Sequence, residues 1–145
     1  MAGIDSRSRL DQARAALANN LQTAAVLLEE IGSPHLGICL DAFHFSVGAS
    51  KTEDLGYLTP GNLFHVQLSD LSGLVRELAA DGDRILPGDG DLALDGLVAF
   101  LRRIGYSGPV SVELMNPQLW PVPARQFAEI AMTALRKLLG QAGME

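Results

Sequence analysis

One short segment carries most of the fold information in this chain: Leu36-Gly37-Ile38-Cys39-Leu40-Asp41-Ala42-Phe43-His44. Its first five residues are small or apolar, a pattern that predicts a buried strand over Leu36–Leu40. The strand runs directly into an acid, Asp41, and a histidine, His44, follows three residues later. A carboxylate at the end of a buried strand is costly unless something holds its charge, and a metal ion would do so. The segment therefore predicts a charged site at the end of a core strand.

The composition predicts one globular domain over residues 1–145. Hydrophobic residues make up 48% of the 145 residues, which is enough for a real core. The net charge of −6 and the lack of a Lys/Arg cluster argue against a nucleic-acid partner, and no apolar run approaches the roughly 20 residues that a membrane span needs. The single cysteine, Cys39, allows no internal disulfide and is expected to be a small core residue. We therefore expect a soluble protein of the cytoplasm, a reducing compartment.

Apolar periodicity along the chain alternates between the spacing of strands and that of helices. The predicted strands are Leu36–Leu40, Leu63–Leu68 and Val110–Leu114, and the predicted helices are residues 9–31, Leu94–Ile104 and Pro123–Gln141. The predicted connections are Ser46–Asn62, with a short helix near Thr52–Tyr57, and Ser69–Gly90, with a helical turn at Leu71–Ala80. Strands that alternate with helices imply a parallel sheet with right-handed crossovers, so the predicted fold class is α/β.

Each predicted strand has two unlike faces, because side chains alternate sides along a strand. One face carries large apolar residues: Leu36, Ile38, Leu40, Phe64, Val66, Leu68, Val110, Val112 and Leu114. The other face carries small or polar residues: Gly37, Cys39, Asp41, His65, Gln67, Ser69, Ser111 and Glu113. The apolar face suits packing under helices, and the polar face suits the inside of a barrel near its mouth.

Three oxygen-bearing side chains stand where the predicted strands finish: Asp41, Gln67 and Glu113. Because parallel neighbours finish at the same edge of a sheet, these side chains are expected to surround one point. Two carboxylates and an amide suit a hard or borderline divalent cation, Mg²⁺ or Mn²⁺ first, with Co²⁺ or Zn²⁺ left open. Structural roles stay open as well, since Asp41 could cap the following turn and Gln67 could be a satisfied interior amide. Glu113 is harder to explain in that way.

Four motifs, taken in their order and spacing, carry a resemblance to a known family. They are Leu40-Asp41-Ala42-Phe43-His44, His65-Val66-Gln67-Leu68-Ser69-Asp70, Arg84-Ile85-Leu86-Pro87-Gly88-Asp89-Gly90-Asp91 and Gly108-Pro109-Val110-Ser111-Val112-Glu113-Leu114. Together they resemble the C-terminal half of the xylose-isomerase-like TIM barrels, the sugar phosphate isomerase/epimerase superfamily. The resemblance implies a partial (β/α)₈ barrel whose three strands correspond to the sixth to eighth strands of the family barrel.

The resemblance also implies roles for five residues. By position, Asp41, Gln67 and Glu113 match family metal ligands, and the glutamine is similar to that of 3-dehydroshikimate dehydratase-like members. His44 matches a histidine that contacts substrate or supports the site, and Arg84 matches an arginine that contacts substrate. The family's first metal-binding Glu belongs to an earlier strand, and this chain has no counterpart for it.

The implied chemistry is the isomerisation, epimerisation or dehydration of a small sugar, a sugar-phosphate-like substrate or a keto acid. In the family, a metal ion holds a hydroxy-ketone and stabilises the enediolate while a carboxylate moves the proton. The expected catalytic residues are therefore Glu113, as the base, and His44. Arg84 could instead be merely solvated, His65 is expected to be structural, and His35 is expected at the surface.

Other functions and partners stay open at this level. A three-stranded sheet has two open edges and an uncovered inner face, which favours a homo-oligomer or a complementing N-terminal half. The alternative to an enzyme fragment is a non-catalytic half-barrel that self-associates or pairs with another chain. An apurinic-endonuclease relative would share the fold, but the acidic charge and the total of three histidines argue against a His-rich, multi-zinc site. The expected partner is thus a small-molecule substrate, with no nucleic acid and no membrane.

Overall fold

A parallel sheet of three strands, in the order β1-β2-β3, forms the centre of the fold. The computed structural model describes residues 20–141. The strands are β1 (Ile38–Asp41), β2 (Leu63–Leu68) and β3 (Val110–Val112), and the helices are α1 (Leu21–Ile31), α2 (Ala42–Val47), α3 (Leu94–Arg103) and α4 (Ala124–Gln141). Short 3₁₀ turns cover Thr52–Tyr57, Arg76–Leu78, Asp81–Asp83 and Pro117–Leu119. The α/β class and the parallel pairing are as predicted.

Most predicted elements are confirmed, and the differences fall at their ends. Strand β2 and the short helix Thr52–Tyr57 have the predicted bounds. Strand β1 starts two residues later than predicted and includes Asp41, whereas β3 ends before Glu113, which therefore follows the strand. Helix α1 confirms the second half of the first predicted helix, and residues 9–19 lie outside the described residues.

The structure corrects one local prediction and adds one helix. The helical turn predicted at Leu71–Ala80 is confined to the 3₁₀ turn Arg76–Leu78. Helix α2 was not predicted; it follows β1 with no intervening loop, because Asp41 caps its first turn. The Asp41 Oδ1 atom accepts hydrogen bonds from the backbone N–H groups of Phe43 (2.8 Å) and His44 (3.3 Å), which satisfies two donors at the helix start. His44 therefore lies on a helix, one turn from the end of β1.

The apolar side of the sheet is buried with the flanking helices. Val66 and Leu68 of β2 are fully buried, as are Val98 and Leu101 of α3, and all four belong to one hydrophobic cluster. Leu135 of α4 joins the same cluster. Each such buried side chain contributes about 2 kcal/mol to stability, so these helices fix the sheet on which the polar strand ends are carried.

The predicted alternation of faces is wrong at Phe64. A register shift in the β1–β2 pairing places Ile38 beside Leu63 and Cys39 beside His65, so Phe64 has no partner in β1. Leu63 is buried, whereas 43% of Phe64 is exposed. A bulge of this kind inserts one extra residue in one strand and reverses the phase of the side chains that precede it.

The other face of the sheet is open within residues 20–141. Cys39 lies on it and is exposed, contrary to the predicted core position, because the described sheet has three strands and nothing further covers this side of β1. Leu36, predicted on the apolar face, precedes β1 and is also exposed. None of the helices within the described range is long and apolar enough to cross a membrane. The polar strand ends lie at the edge of this open face.

Candidate active site

The side chains at the three strand ends come together at one edge of the sheet. Asp41 and Gln67 are direct neighbours in the β1–β2 register, and Glu113 comes two residues after Ser111, the neighbour of Gln67 in β3. The Glu113 backbone N–H donates to the Leu68 carbonyl (3.2 Å), which keeps Glu113 alongside β2. The carboxyl groups of Asp41 and Glu113 both lie against one nitrogen of Arg84. The three residues predicted as metal ligands are thus neighbours in space.

The buried guanidinium of Arg84 links the two carboxylates. Its Nη1 donates to Asp41 Oδ2 at 2.8 Å and lies 3.7 Å from Glu113 Oε2. Only 1% of Arg84 is exposed, so the view of it as a solvated surface residue is wrong. The Phe43 ring lies 4.4 Å from the guanidinium carbon, a cation–π contact that supports the charge. Burial lowers the pKa of Arg84, but hydrogen bonds to Asp81 and Asp41 outweigh this effect and raise the pKa overall.

Asp81 holds the other side of this guanidinium, and the sequence analysis missed it. Its Oδ1 accepts hydrogen bonds from Arg84 Nε (3.0 Å) and Arg84 Nη2 (2.7 Å). Asp81 opens the 3₁₀ turn that ends just before Arg84, so the i,i+3 spacing of an acid and an arginine was the available signal. Arg84 is therefore fixed from both sides by carboxylates.

The loop that presents Arg84 is organised by Asp70, which was also missed. Asp70 is 1% exposed, and its carboxylate accepts four backbone hydrogen bonds, from the N–H groups of Leu71, Gly88, Gly90 and Leu92. The Asp70 backbone also exchanges two 2.9 Å hydrogen bonds with Ile85, the residue after Arg84. The Pro-Gly-Asp-Gly sequence predicts a turn, but nothing in these four residues indicates that the Asp70 carboxylate accepts hydrogen bonds from the backbone of that turn.

His44 lies between the two acids that hold Arg84. Its Nε2 is 3.1 Å from Arg84 Nη2, 3.9 Å from Asp41 Oδ2 and 3.8 Å from Asp81 Oδ1. Because a guanidinium has donors and no acceptor, Nε2 accepts the Arg84 hydrogen bond and the proton of the neutral ring is on Nδ1. A third of the side chain is exposed, so the imidazole remains reachable from the open face.

The close pair of carboxylates changes the acidity of Glu113. Burial raises the pKa of its carboxyl group, and the hydrogen bond and negative charge of Asp41 raise it further. Arg84 and His44 oppose this rise without cancelling it. The pair therefore favours a proton or a cation between its members, since two adjacent carboxylates repel each other when both are ionised.

Gln67 has one hydrogen-bond partner on the open face of the sheet. Its Oε1 accepts from the Cys39 thiol at 3.3 Å. Partial burial of the sulfur, together with the charges of Asp41 and Glu113, raises the pKa of Cys39, so the thiol keeps its proton and can donate. A carbonyl oxygen has a second lone pair, and the amide can thus be both a hydrogen-bonded interior group and a ligand.

The two remaining histidines lie away from this cluster. His65 is paired with Ser111 through a 2.8 Å contact between Nε2 and Oγ, one layer deeper on the same face, in keeping with the predicted structural role. His35 is exposed, as predicted.

The donor set fits a divalent cation in its chemistry and is incomplete in number. Asp41, Gln67 and Glu113 supply neighbouring oxygen atoms, the ligands that hard divalent cations prefer. Residues 20–141 contain no group of three or more His, Cys, Asp or Glu side chains that could hold a metal ion. Those residues thus offer three side-chain oxygen donors at this point, from Asp41, Gln67 and Glu113, fewer than the roughly six ligands that such a cation takes.

This arrangement agrees with a family match that covers most of the chain. The model of the xylose isomerase-like TIM barrel matches residues 10–138. The chain belongs to the xylose isomerase-like TIM barrel family.

Two sequence relatives and one crystal structure show which members of the family this chain is similar to. An inosose isomerase of Halalkalibacterium halodurans is 32% identical over 113 residues, which are 78% of this chain and 40% of that protein. A 3-dehydroshikimate dehydratase of Pseudomonas putida is 28% identical over 119 residues, which are 81% of this chain and 19% of that protein. The crystal structure of an IolI protein with a binding zinc atom matches with a TM-score of 0.82 and 26% identity, over 88% of this chain and 46% of that one.

The chain spans less than half the length of these relatives. Its alignment covers 40% of the inosose isomerase and 46% of the zinc-containing IolI chain. The three parallel strands with their helices are therefore a partial TIM barrel, as the sequence motifs implied.

Proposed function

We propose that this chain supplies one side of the active site of a divalent-metal-dependent isomerase, epimerase or dehydratase that acts on a small hydroxy-ketone. One observation carries the proposal: Asp41 and Glu113, which both lie against the Arg84 guanidinium beside Gln67, are at the carboxyl ends of parallel strands in a TIM barrel family. In such barrels the carboxyl ends of the strands form the active site. Relatives named inosose isomerase and 3-dehydroshikimate dehydratase support this reaction range.

Within this proposal, Asp41, Gln67 and Glu113 hold the cation, with Mg²⁺ or Mn²⁺ as first choice and Co²⁺ or Zn²⁺ next. When bound, the cation supplies Lewis-acid stabilisation of negative charge on the substrate carbonyl oxygen. Glu113 takes the proton from the carbon beside the carbonyl, a role that its raised pKa favours. His44 and Arg84 are the residues that we expect to contact substrate oxygens, His44 from its exposed side.

A complete barrel needs strands beyond the three within the described residues. We propose that these further strands belong to a complementing N-terminal half, which also brings the missing acidic ligand. The open face beside β1, with the exposed thiol of Cys39, is the surface that these strands would cover. A reducing compartment such as the cytoplasm would keep that thiol free.

A metal titration tests the proposal directly. We expect Mn²⁺, Mg²⁺, Co²⁺ or Zn²⁺ to raise the melting temperature of the chain, and Glu113→Gln to abolish the gain, because a neutral amide cannot replace the second carboxylate. The matched control is Glu129→Gln on α4, which removes an exposed carboxylate far from the cluster and should keep the gain. The absence of a shift with all four ions would overturn the proposal for this chain.

A non-catalytic half-barrel is the second candidate, and the exposed sheet face favours it. Cys39 and Phe64 are both exposed within the described residues, a property that favours self-association. Light scattering separates the two candidates when it is combined with the metal titration. A metal-independent oligomer would support the second candidate, and a metal-binding monomer would support the first.

A further inference from the structure

We propose that Asp81 determines the class of substrate that this site binds. Its carboxylate occupies one edge of the Arg84 guanidinium, so phosphates and carboxylates cannot bind that arginine. The site is thus left for an uncharged polyhydroxylated ketone or cyclitol. The inference rests on the proposed function and goes further by naming the class of substrate. The inference follows from the acceptor that each N–H donor of Arg84 contacts.

All five N–H donors of Arg84 have acceptors within the chain. Asp81 Oδ1 accepts from Nε (3.0 Å) and from Nη2 (2.7 Å). Nη1 donates to Asp41 Oδ2 (2.8 Å) and, at 3.4 Å, to Ser69 Oγ. The second Nη2 donor meets His44 Nε2 at 3.1 Å. A guanidinium has five such donors, so none remains unassigned.

Because every Arg84 donor has an acceptor, the binding of anions is affected more than the binding of neutral groups. Phosphates and carboxylates are bound best by two parallel N–H groups on one edge of a guanidinium. Asp81 occupies the Nε–Nη2 edge, while Asp41 and His44 occupy the Nη1–Nη2 edge. A substrate hydroxyl or carbonyl needs only one donor, which an N–H group can share between two acceptors. A neutral substrate therefore does not require Arg84 to release a partner, whereas an anion that binds Arg84 through two donors must displace a carboxylate.

Within the described residues, no other lysine or arginine could bind an anion in the cavity beside the site. A cavity of about 350 Å³ opens next to β1, and Asp41, His44 and Gln67 are in its wall. None of the residues that line it, all within the described part of the chain, is Lys or Arg. Lys51 and Arg76 line a different cavity, against the start of α3. An anion that enters the first cavity therefore meets the carboxylate of Asp41, and the described lining offers it neither lysine nor arginine.

The test compares two substitutions in the same turn. Asp81→Asn weakens the hold on Nε and Nη2, whereas Asp83→Asn removes the same charge from a residue whose carboxylate accepts only from the Ala80 backbone N–H in the described contacts. Binding of inorganic phosphate to the wild-type chain and to both variants is followed by calorimetric titration without added metal. Asp81 is 55% exposed, so its substitution should leave the fold intact, which circular dichroism verifies.

We expect no saturable phosphate binding to the wild type or Asp83→Asn up to about 10 mM, and binding at least about tenfold tighter to Asp81→Asn. Two results would overturn the inference: saturable binding to the wild type that Arg84→Met removes, or equal behaviour of the two Asn variants. The metal titration above is independent of this measurement, so a chain that binds no metal but shows the expected phosphate pattern would overturn the proposed function alone.

A second measurement needs no variant. With Mn²⁺ present, the wild-type chain should be stabilised more by D-fructose than by D-fructose 6-phosphate or 3-dehydroshikimate at equal concentration. Stronger stabilisation by either anion would overturn the inference even if Asp81→Asn failed to fold.

Discussion

Two buried carboxylates are held in different ways: Asp41 is the last residue of β1, and Asp70 follows the neighbouring strand β2. Asp70 accepts hydrogen bonds from four backbone N–H groups of its own and the following loop. Asp41 accepts from two backbone N–H groups at the start of α2, while its other oxygen accepts from Arg84, whose Nη1 also lies 3.7 Å from Glu113 Oε2. Within the described residues, Asp70 is held by backbone dipoles alone, whereas Asp41 is held by backbone dipoles and by the ionised side chain of Arg84.

This difference distinguishes a structural carboxylate, Asp70, from a carboxylate with a role in the proposed chemistry, Asp41. Backbone donors cannot leave without unfolding the loop, so Asp70 has one arrangement and no need of a counter-ion. Side-chain partners can exchange, so we expect Asp41 and Glu113 to accept a cation in place of a proton or of part of the Arg84 contact. We therefore expect substitutions around Asp70 to affect folding, and substitutions around Asp41 to affect folding in a way that metal can repair.

The largest effect is expected for Asp70→Ala. It leaves four buried or partly buried N–H groups without an acceptor, and the free energy of unfolding should fall by about 4 kcal/mol. Urea denaturation measures the loss, and Mn²⁺ should not restore it. Asp89→Ala, an exposed acid of the same loop, is the control and should be near neutral. A loss below about 1 kcal/mol for Asp70→Ala would contradict the scaffold role.

A smaller but metal-sensitive loss is expected for Arg84→Met. The substitution leaves Asp41 buried beside Glu113 with no cation, and the metal-free chain should lose about 3 kcal/mol of stability. A divalent cation supplies the missing charge, so Mn²⁺ should raise the melting temperature of this variant more than that of the wild type. Arg125→Met, at a position 93% exposed, is the control. An equal Mn²⁺ effect in variant and wild type would argue against exchange between Arg84 and a metal.

Features that depend on residues close together in the chain could be predicted from the sequence. Local signals predicted β2 and the short helix Thr52–Tyr57 with their bounds, because apolar alternation and breaker residues act over a few positions. They also predicted that Asp41 and Glu113 would be neighbours, since parallel strands share an edge.

What the sequence did not predict depends on contacts between distant segments. Arg84 and Asp41 are 43 positions apart, and the four donors to Asp70 extend over 22 positions, so neither pattern has a local period. Phe64 was misplaced because a bulge changes the phase of alternation without a mark in composition. Cys39 was misplaced because periodicity describes a strand and not whether another strand covers it.

Glu113→Gln should show a modest effect that depends on pH. Burial first, and Asp41 second, raise the pKa of Glu113 above its ordinary value of 4.5, so the folded chain holds the proton more tightly than the unfolded chain. The wild-type stability contribution is therefore complete below pH 4.5 and is lost as pH rises to the raised pKa. Glutamine cannot ionise, so metal-free Glu113→Gln should melt about 2 °C above wild type at pH 7 and level with it near pH 3.5. Thermal melts across this range, with Glu129→Gln as control, test the sign; a variant less stable at pH 7 would contradict it.

The smallest effect is expected for Cys39→Ala. The residue is exposed on the open face, so the free energy of unfolding should change by less than about 0.5 kcal/mol. The substitution removes the thiol that donates to Gln67 Oε1, but the carbonyl oxygen keeps both lone pairs and its place beside Asp41 in the β1–β2 register. The Mn²⁺-induced rise in melting temperature should therefore persist, and Cys39→Ser, which keeps a donor, should match it. Loss of the rise in both variants would show that the sulfur itself binds the metal, and the site would then have to include Cys39 as a ligand in addition to its three oxygen donors.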